Sequence, residues 1–506
     1  MGSAYILVVF GIVLAKGIGF FREIAFSGVF GTGIHADIYF QVFNIVNLIF
    51  AGVGVALSTL VIKNMNKPEN SGKEKAYAAS FIRKSFIAMT GVALLFVIFA
   101  EPIITKLLLP SIAPEHISLA VRQVYIMAPS LVFVVIAYIM SGVLQNEKAY
   151  FITAIMSLPF NAVIIASLFI PNVSLTTVSI ITTIGWFLHV IILLPAFMKK
   201  GYSFTKKGIK QTSSKFKNPE ILWIFISNMM YQLCFYTDRA FVSETEGIAS
   251  TFSYASNLFV IVASIFVVAM STVFFPSISK NYEEGNINYI NDLLRYIITV
   301  MVAIFVPFLL VVGFFGTDII RLVYERGEFG PESTKAVSTI LFVYSLGILG
   351  YITQELFNKI LYIANKYLYC VLGTVGVIAA NFGANLIIKN FVPDVPFMGT
   401  GISAQAFFIA LSSSVLLFAY ALFISFAIKK VIGKYWKRDL LKDLFKIVIC
   451  SVLAFLTYFA FNTFMPSFTH GKVSFLIPLL ACGIVYLISL YISGVLMKLI
   501  KKKGAN

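Results

Sequence analysis

The sequence predicts an all-α polytopic membrane protein with about fourteen transmembrane helices, and its composition is the first reason. Apolar residues make up 59% of the 506 positions and charged residues only 12%, and the mean hydropathy is +0.91. A soluble chain of this length needs far more charge to cover its surface. The apolar residues also fall in long blocks, such as 85–100 and 256–275, close to the roughly 20 residues with which a helix crosses a bilayer. The strict alternation typical of a transmembrane β-barrel is absent from the sequence.

The fourteen predicted helices are apolar segments separated by short polar connections. Each is long enough to span the hydrocarbon core of a membrane. In chain order they lie near 4–28, 35–62, 77–100, 118–145, 150–171, 175–198, 219–243, 250–277, 288–315, 333–363, 367–390, 401–428, 440–463 and 473–498.

Basic side chains are concentrated in alternate connections between these helices. They cluster in 63–76, 199–217, 429–438 and the tail after 500, whereas the intervening connections are short or acidic. Because basic connections remain on the cytoplasmic side of a membrane, we predict that both termini are cytoplasmic. The net charge of +17 then reflects lysines that contact anionic membrane lipids, and nucleic acid is not an expected partner.

A short internal repeat indicates that the helices form two similar halves. Residues 55–59 read VALST and residues 268–272 read VAMST, an offset of 213 residues that equals six helices. Parallel repeats of this kind surround a central cavity in transporters. The competing explanation is chance similarity between two apolar segments.

The repeat predicts four parts of the chain. Helices one to six form an N-terminal lobe and helices seven to twelve a C-terminal lobe. A basic cytoplasmic connector joins the lobes, and two additional helices with a basic tail follow them. The four parts are 1–199, 200–218, 219–430 and 431–506.

Charged side chains inside predicted spans are costly and commonly mark function. One interpretation of the first two helices is an ion pair between Arg22 and Asp37 that locks the hairpin. The other is a cationic site for an anionic substrate, since arginine and lysine are the usual phosphate binders. The two are compatible, because an ion pair can hold the arginine in place. The candidate substrate-binding residues in these helices are Lys16, Arg22, Glu23, Asp37, Asn44 and Asn47.

Polar residues in two later helices form a candidate cation site. Asp238 lies in helix seven, and Asn381 and Asn385 lie one turn apart in helix eleven. Carboxylate and amide oxygens suit sodium, as they suit other hard cations. The competing interpretation is hydrogen bonding between helices, which is common for asparagine in membranes. Sodium is the candidate coupling ion, and no other cofactor is predicted.

Sequence signatures of enzymes are absent from the chain. There is no GxxxxGK[ST] loop for nucleotide phosphates, no HExxH zinc motif and no GxSxG nucleophile motif. The sequence therefore predicts a transporter driven by an ion gradient, the membrane potential or the substrate gradient.

The segment GIGFFREIAFSGVFGTGIHADIYFQVFNIVN (17–47) resembles the start of the MurJ (MviN) lipid II flippase family. That family belongs to the multidrug/oligosaccharidyl-lipid/polysaccharide (MOP) exporter superfamily. Segments 253–280 and 324–334 are similar to the family's eighth helix and to its loop before helix ten. The residues of the first segment that match the family pattern are Gly19, Arg22, Glu23, Phe30, Gly31 and Asp37.

The resemblance implies a V-shaped protein that moves lipid II, an undecaprenyl-pyrophosphate-linked peptidoglycan precursor, across the bacterial cytoplasmic membrane by alternating access. Arg22, Glu23 and Asp37 would line a cationic cavity for the head group, and the last two helices would form a groove for the lipid tail. The positions at which some members bind sodium correspond here to Asp238, Asn381, Asn385 and the backbone carbonyl of Ile402.

Three departures from the family pattern concern positive charge. Lys16 stands where the family has an arginine, and lysine cannot make the bidentate contact of arginine. An apolar residue, Phe50 or Ala51, stands where the family has a cavity arginine in helix two. Ser256 and Asn257 replace an Asp-Arg pair, which leaves Asn257 as the candidate substrate residue there. These losses favour the alternative that the cargo is another lipid-linked glycan of capsule, O-antigen or teichoic type.

Two further functions compete with these. A drug or cation exporter of the same superfamily predicts an acid-lined cavity, whereas helix one is net basic. A non-transporting scaffold for cell-wall synthesis enzymes predicts that removing the charge of Arg22 is harmless. The expected partners are a lipid-linked oligosaccharide, membrane lipids and cell-wall synthesis enzymes.

Overall fold

The computed structural model of the chain is built of α-helices throughout the residues that it describes. Those residues are 2–66, 70–204, 223, 226–227, 229–465 and 473–501. Most of the predicted basic connector, residues 205–218, lies outside them, as do the last residues of the tail. The all-α prediction is confirmed.

The first half of the described chain contains eleven helices. A π-helical turn, Phe50–Gly54, joins α2 to α3, and a second one, Ile104–Leu108, follows α5. The helices are α1 (Gly2–Phe30), α2 (Ile34–Ile49), α3 (Val55–Met65), α4 (Glu74–Ile98), α5 (Ala100–Ile103), α6 (Pro114–Met127), α7 (Ser130–Asn146), α8 (Tyr150–Ala154), α9 (Leu158–Leu168), α10 (Leu175–Lys199) and α11 (Met230–Phe241).

The second half of the described chain contains ten helices, the longest of 37 residues. They are α12 (Ile248–Val273), α13 (Phe275–Glu283), α14 (Ile287–Val323), α15 (Pro331–Leu346), α16 (Ile348–Ile363), α17 (Tyr367–Phe391), α18 (Ala404–Ile432), α19 (Arg438–Phe464), α20 (Leu476–Ile492) and α21 (Val495–Lys501).

Ten helical segments among the described residues are long and apolar enough to cross a membrane, and the pair α15–α16, bent by 47°, makes an eleventh. Their outer surfaces are apolar: Phe391 and Phe464 are each at least 81% exposed. Such large exposed apolar faces are stable against lipid and not against water. A multi-pass membrane protein is confirmed, and the count of fourteen spans stays a prediction.

Glycine explains the break between α15 and α16. Gly347 separates the two helices, and glycine lowers helix stability by about 1 kcal/mol relative to alanine. A Cβ atom at Gly347 would lie 2.9 Å from Ser414 Cα, and one at Gly350 would lie 2.7 Å from the backbone of Leu417. The missing side chains therefore allow α16 to pack backbone to backbone against α18.

By internal contacts the chain forms two compact units. The first comprises Met1–Ser250 with Arg326–Phe329, and the second Thr251–Glu325 with Gly330–Asn506. In the second unit, α14, α19 and α20 share an apolar core that includes Phe315, Phe455 and Cys482. The predicted lobe boundaries were set by counting six helices for each lobe. The contact-based units do not test them, and they remain a prediction.

Within the first unit, contacts group the connections into two sets. The amide of Ile34 donates to Glu246 Oε1 at 3.0 Å, which joins two connections predicted to lie outside. Asn66 donates to Asn146 Oδ1 at 2.8 Å, which joins two connections predicted to lie inside. Both contacts agree with the predicted alternation of the helices. The side that faces the cytoplasm stays a prediction.

Candidate functional site

The guanidinium group of Arg22, on α1, is the best-positioned charge in the first two helices. It lies 5.1 Å from the ring centroid of Phe43 on α2 and 5.4 Å from that of Phe160 on α9. Its NH2 group lies 3.5 Å from Glu23 Oε1, and its side chain is 13% exposed. A cation over two aromatic faces gains about 0.5–2 kcal/mol at each, the more so where water is excluded. Arg22 is therefore held in one place before any ligand arrives.

The two rings under Arg22 belong to a longer aromatic stack. Tyr39 stacks on Phe43 with centroids 5.4 Å apart, and Phe160 lies 4.5 Å from Trp186. The Tyr39 hydroxyl lies 3.0 Å from Thr182 Oγ1, which anchors the stack to α10. Aromatic pairs each add about 0.5–1.5 kcal/mol beyond their buried area. The position of Arg22 is thus fixed by α2, α9 and α10 together.

Buried polar atoms without a protein partner lie on the same helices. Asn161, on α9, donates to Ser157 O, but its Oδ1 has no hydrogen-bond partner among the described residues. Gly19 packs against that side chain. The Nδ2 atom of Asn44 also lacks a partner among them. Since buried polar atoms are nearly always paired, these atoms are where a polar ligand or water completes the site.

The remaining candidates on α1 and α2 differ in exposure. Lys16 is exposed and Asn47 half-buried, whereas Glu23 and Asp37 are 8% and 2% exposed. Lys16 precedes Arg22 by six residues, about 9 Å along a helix axis. The structure thus brings Arg22 and Glu23 together and leaves Lys16 on an open surface.

Asp37 does not pair with Arg22. Its Oδ2 accepts a hydrogen bond from the Gly247 amide at 2.7 Å and its Oδ1 from the Ser250 amide at 2.6 Å. Ser250 belongs to the first turn of α12 and Gly247 immediately precedes it, so the carboxylate lies at the helix N-terminus, where unpaired N–H groups and the helix dipole attract a negative charge. The prediction of an Arg22–Asp37 ion pair is therefore wrong. Arg22 pairs with Glu23, and Asp37 binds the N-terminus of a helix.

Three glycines allow the connections around Asp37 to approach one another. Gly31, Gly247 and Gly327 all have positive φ, at +54°, +84° and +55°. A Cβ at Gly247 would lie 2.2 Å from Thr32 O, and one at Gly327 would lie 2.0 Å from Gly28 O. No other residue fits either place without moving backbone. We call this cluster of connections, 28–33, 246–250 and 326–329, the glycine junction.

The candidate sodium ligands lie in both units. Asp238, in the first, is fully buried. In the second, Asn381 donates to Ser413 Oγ at 2.9 Å and Asn385 Oδ1 accepts from Ser412 Oγ at 3.0 Å. These bonds join α17 to α18, as the hydrogen-bonding interpretation predicts. The oxygens suit a hard cation chemically, and the sodium site stays a prediction.

Two further candidates belong to the second unit. The carbonyl oxygen of Ile402 accepts a hydrogen bond from the Phe397 amide at 3.0 Å, and a carbonyl retains a second lone pair for a cation. Asn257, in the middle of α12, is half-buried. Among the described residues, no three His, Cys, Asp or Glu side chains form a metal site.

Sequence reasoning missed the residues that position the charges. Phe43 and Phe160 are apolar residues in apolar helices, and nothing in their spacing distinguishes them. Gly247 and Gly327 did carry a signal, because a glycine in a short polar connection between apolar segments is typical of a turn.

Comparison with known proteins gives one consistent family. A family model described as lipid II flippase MurJ matches residues 26–480. A probable lipid II flippase MurJ of Rhizobium tropici is 24% identical over 358 residues, covering 66% of this chain and 65% of the relative. One of Treponema pallidum is 23% identical over 497 residues, covering 94% and 91%. The chain thus spans just under two thirds of the first relative and nine tenths of the second.

A solved structure shows the same fold. A lipid II flippase MurJ in an inward closed conformation superposes with a TM-score of 0.78 at 23% identity, covering 97% of this chain and 99% of that one. At this identity the likeness concerns the fold alone.

Proposed function

Since the chain belongs to the lipid II flippase MurJ family, we propose that it moves lipid II across the bacterial cytoplasmic membrane by alternating access. Like the other members of its family, it is a membrane transporter and not an enzyme. We further propose that both termini lie in the cytoplasm. The enzymes that make and polymerise this precursor are the partners that the activity predicts.

The positioning of Arg22 is the observation that supports this function best. The head group of lipid II is joined to its lipid by a pyrophosphate, and arginine binds phosphate oxygens through two parallel N–H groups. The stacked rings of Phe43 and Phe160 both contact the guanidinium group, and Glu23 lies 3.5 Å from one of its nitrogens. The remaining donors are available to a pyrophosphate without reorganisation of the side chain.

Neighbouring groups extend the site beyond one phosphate. Lys16 is exposed about two turns earlier on α1 and supplies a second positive charge. The unpaired atoms Asn44 Nδ2 and Asn161 Oδ1 provide one donor and one acceptor. Sugar hydroxyls and peptide amides need such neutral polar partners. We assign these three side chains, together with Arg22, as the head-group site.

The Asp37 contacts support a conformational role. Asp37 ties the start of α2 to the first turn of α12 through two short hydrogen bonds, inside the glycine junction. We propose that this contact closes one end of the transport path and breaks when that end opens. We also propose sodium as the coupling ion, whose charge would stabilise the conformation that binds it.

The decisive experiment is complementation in cells depleted of their own lipid II flippase. Wild type, Arg22→Lys and Arg22→Ala are compared at equal membrane abundance, with Arg122→Ala as a matched control, since Arg122 is an exposed arginine on α6. An externally added enzyme that cleaves lipid II reports how much substrate reaches the outer leaflet. Rescue by wild type and Arg122→Ala, partial rescue by Arg22→Lys and none by Arg22→Ala are expected. Failure of a well-expressed wild type would reject lipid II as the cargo.

A second cargo is favoured by one observation on α12. Ser256 is buried and donates to Ser253 O at 3.1 Å, so the position of the family's Asp-Arg pair is uncharged here. A lipid-linked glycan with fewer negative charges in its head group fits that change. Mass spectrometry of lipids that co-purify with the protein distinguishes the two cargoes directly.

A further inference from the structure

An open apolar groove lies on the first unit, away from the head-group site. Helices α4, α7 and α10 form its walls, and the segment after α10 closes one end. The groove has a volume of about 350 Å³, within the range of about 300–1,000 Å³ for small-molecule sites. Its aromatic lining consists of Phe86, Phe133, Phe187 and Phe204, and among the described residues that line it Arg83 is the one that carries a charge.

The groove and the head-group site use opposite faces of α10. Trp186 and His189 face the aromatic stack and are at most 3% exposed. Phe187, the next residue after Trp186, is 42% exposed and packs against Phe133 with ring centroids 5.2 Å apart. A molecule in the groove is therefore separated from Arg22 by the body of the helix. A ligand of the groove would therefore be distinct from a cargo bound at Arg22.

Arg83 is unusual for an arginine within a membrane-spanning helix. It is exposed, and it makes no hydrogen bond or ion pair with any residue that the structure describes. It follows Glu74, the first residue of α4, by nine positions, about 13 Å along the helix. A long cationic side chain near the end of a span extends toward the interface, where anionic lipid head groups attract it.

Basic and aromatic residues lie beside the segment after α10, which contributes Phe204 to the groove. The Lys75 ammonium lies 5.8 Å from the Tyr202 ring centroid, and Lys200 lies 3.8 Å from Glu147. Burial and the hydrogen bond to Glu147 raise the pKa of the Tyr202 phenol, so this tyrosine stays neutral and adds no negative charge. The rim of the groove is thus suited to a phosphate group at the membrane surface.

We propose that this groove binds one acyl chain of an anionic membrane phospholipid, whose phosphate contacts Arg83. The apolar walls fit a hydrocarbon chain, and an arginine with no partner in the described protein complements one negative charge. This site goes beyond the proposed transport of lipid II, because its ligand is a resident lipid. It does not depend on which glycan is carried.

The test uses the full-length protein in detergent with defined lipids. Dioleoyl phosphatidylglycerol is compared with dioleoyl phosphatidylcholine, which has the same chains and no net charge, and with glycerol phosphate, which has no chain. Binding is measured by native mass spectrometry, and a photoreactive phosphatidylglycerol locates the site by peptide mapping. The variants are Arg83→Ala, the groove-filling Val190→Phe, and Lys84→Ala as a control, since Lys84 is exposed on α4 but does not line the groove.

Phosphatidylglycerol should bind and label α4, α7 and α10. Arg83→Ala should weaken its binding about fivefold, as expected for one cation at a membrane surface, and Val190→Phe should weaken both lipids. Lys84→Ala should bind like wild type. Equal affinity for the two lipids, an equal loss in Arg83→Ala and Lys84→Ala, label confined to other helices, or displacement by a polyprenyl phosphate would each overturn the proposal.

Discussion

The Asp37 carboxylate is hydrogen-bonded to the amide of Ser250, a residue 213 positions later, at 2.6 Å. The residue that precedes α12 is Gly247, which has no side chain to cap the helix. Asp37 supplies the capping oxygens from another part of the chain and also accepts the Gly247 amide at 2.7 Å. A side chain far away in sequence thus completes the N-terminus of a helix.

Removing the Asp37 carboxylate should destabilise the protein. Asp37→Ala leaves the amides of Gly247 and Ser250 buried without an acceptor, at about 1–3 kcal/mol. Asp37→Asn retains one acceptor oxygen and should lose less. Thermal unfolding of the purified variants measures both losses, and Glu246→Gln, at the more exposed contact with Ile34, serves as the control. Equal melting temperatures for Asp37→Ala and wild type would show that the contact contributes nothing.

Substitution at the glycine junction should prevent its close packing. In Gly247→Ala the new Cβ would lie 2.2 Å from Thr32 O at a φ of +84°, and backbone must move to relieve the clash. Gly285→Ala is the matched control, since its φ of +71° imposes a similar conformational strain of about 1–2 kcal/mol while no atom lies within 4 Å.

The comparison isolates packing from backbone conformation. Gly247→Ala should lose both stability and complementation, and Gly285→Ala should lose only a small part of its stability. If the two variants unfold at the same temperature, the close approach in the junction does not stabilise the protein.

The ring of Phe160 should act on transport through Arg22. Phe160→Leu removes one aromatic face, and a loss of about 0.5–2 kcal/mol predicts a reduction of transport of roughly 2- to 30-fold. In an Arg22→Ala background the same substitution should have no further effect on transport. Phe81→Leu controls for the loss of a buried ring, because Phe81 is equally buried and stacks on Tyr77. Additive effects of Phe160→Leu and Arg22→Ala would contradict the coupling.

The sodium hypothesis predicts an ion-specific gain in stability. Replacing potassium chloride by sodium chloride should raise the melting temperature of wild type. At a sodium concentration one hundred times the dissociation constant, binding adds about 2.7 kcal/mol to the free energy of unfolding. Asp238→Asn and Asn385→Ala should abolish the gain, whereas Asn390→Ala, exposed on the same helix α17, should retain it. No difference between the two salts in wild type would reject the site.

Much of the helix pattern could be predicted because a helix that crosses a membrane needs about 20 mostly apolar residues in a row. The segments predicted at 175–198 and 367–390 end within one residue of Leu175–Lys199 and Tyr367–Phe391. Breaks inside apolar segments were missed, as at Phe50–Gly54 and Gly347, since packing against neighbours decides where such a helix bends. Hydropathy does not report those contacts.

The site was predictable only where it carries charge. Arg22 and Asp37 stand out because ionisable groups are rare in spans. Their partners were not predictable: nearness in sequence suggested that the two residues pair with each other. The actual partner of Asp37 is a helix N-terminus 210 residues away, which attracts a carboxylate through backbone amides that no sequence motif displays.

The bond between Asp37 and Ser250 also has a bearing on the internal repeat. Its separation of 213 residues equals the offset between VALST at 55–59 and VAMST at 268–272. If the repeat is a true duplication, Ser250 is the counterpart of Asp37, and the carboxylate accepts a hydrogen bond from the amide at its own counterpart position. Aspartates at both positions would then lie close together and repel each other. A true duplication therefore predicts that the two copies differ at this position, and relatives with the same repeat are the place to test it.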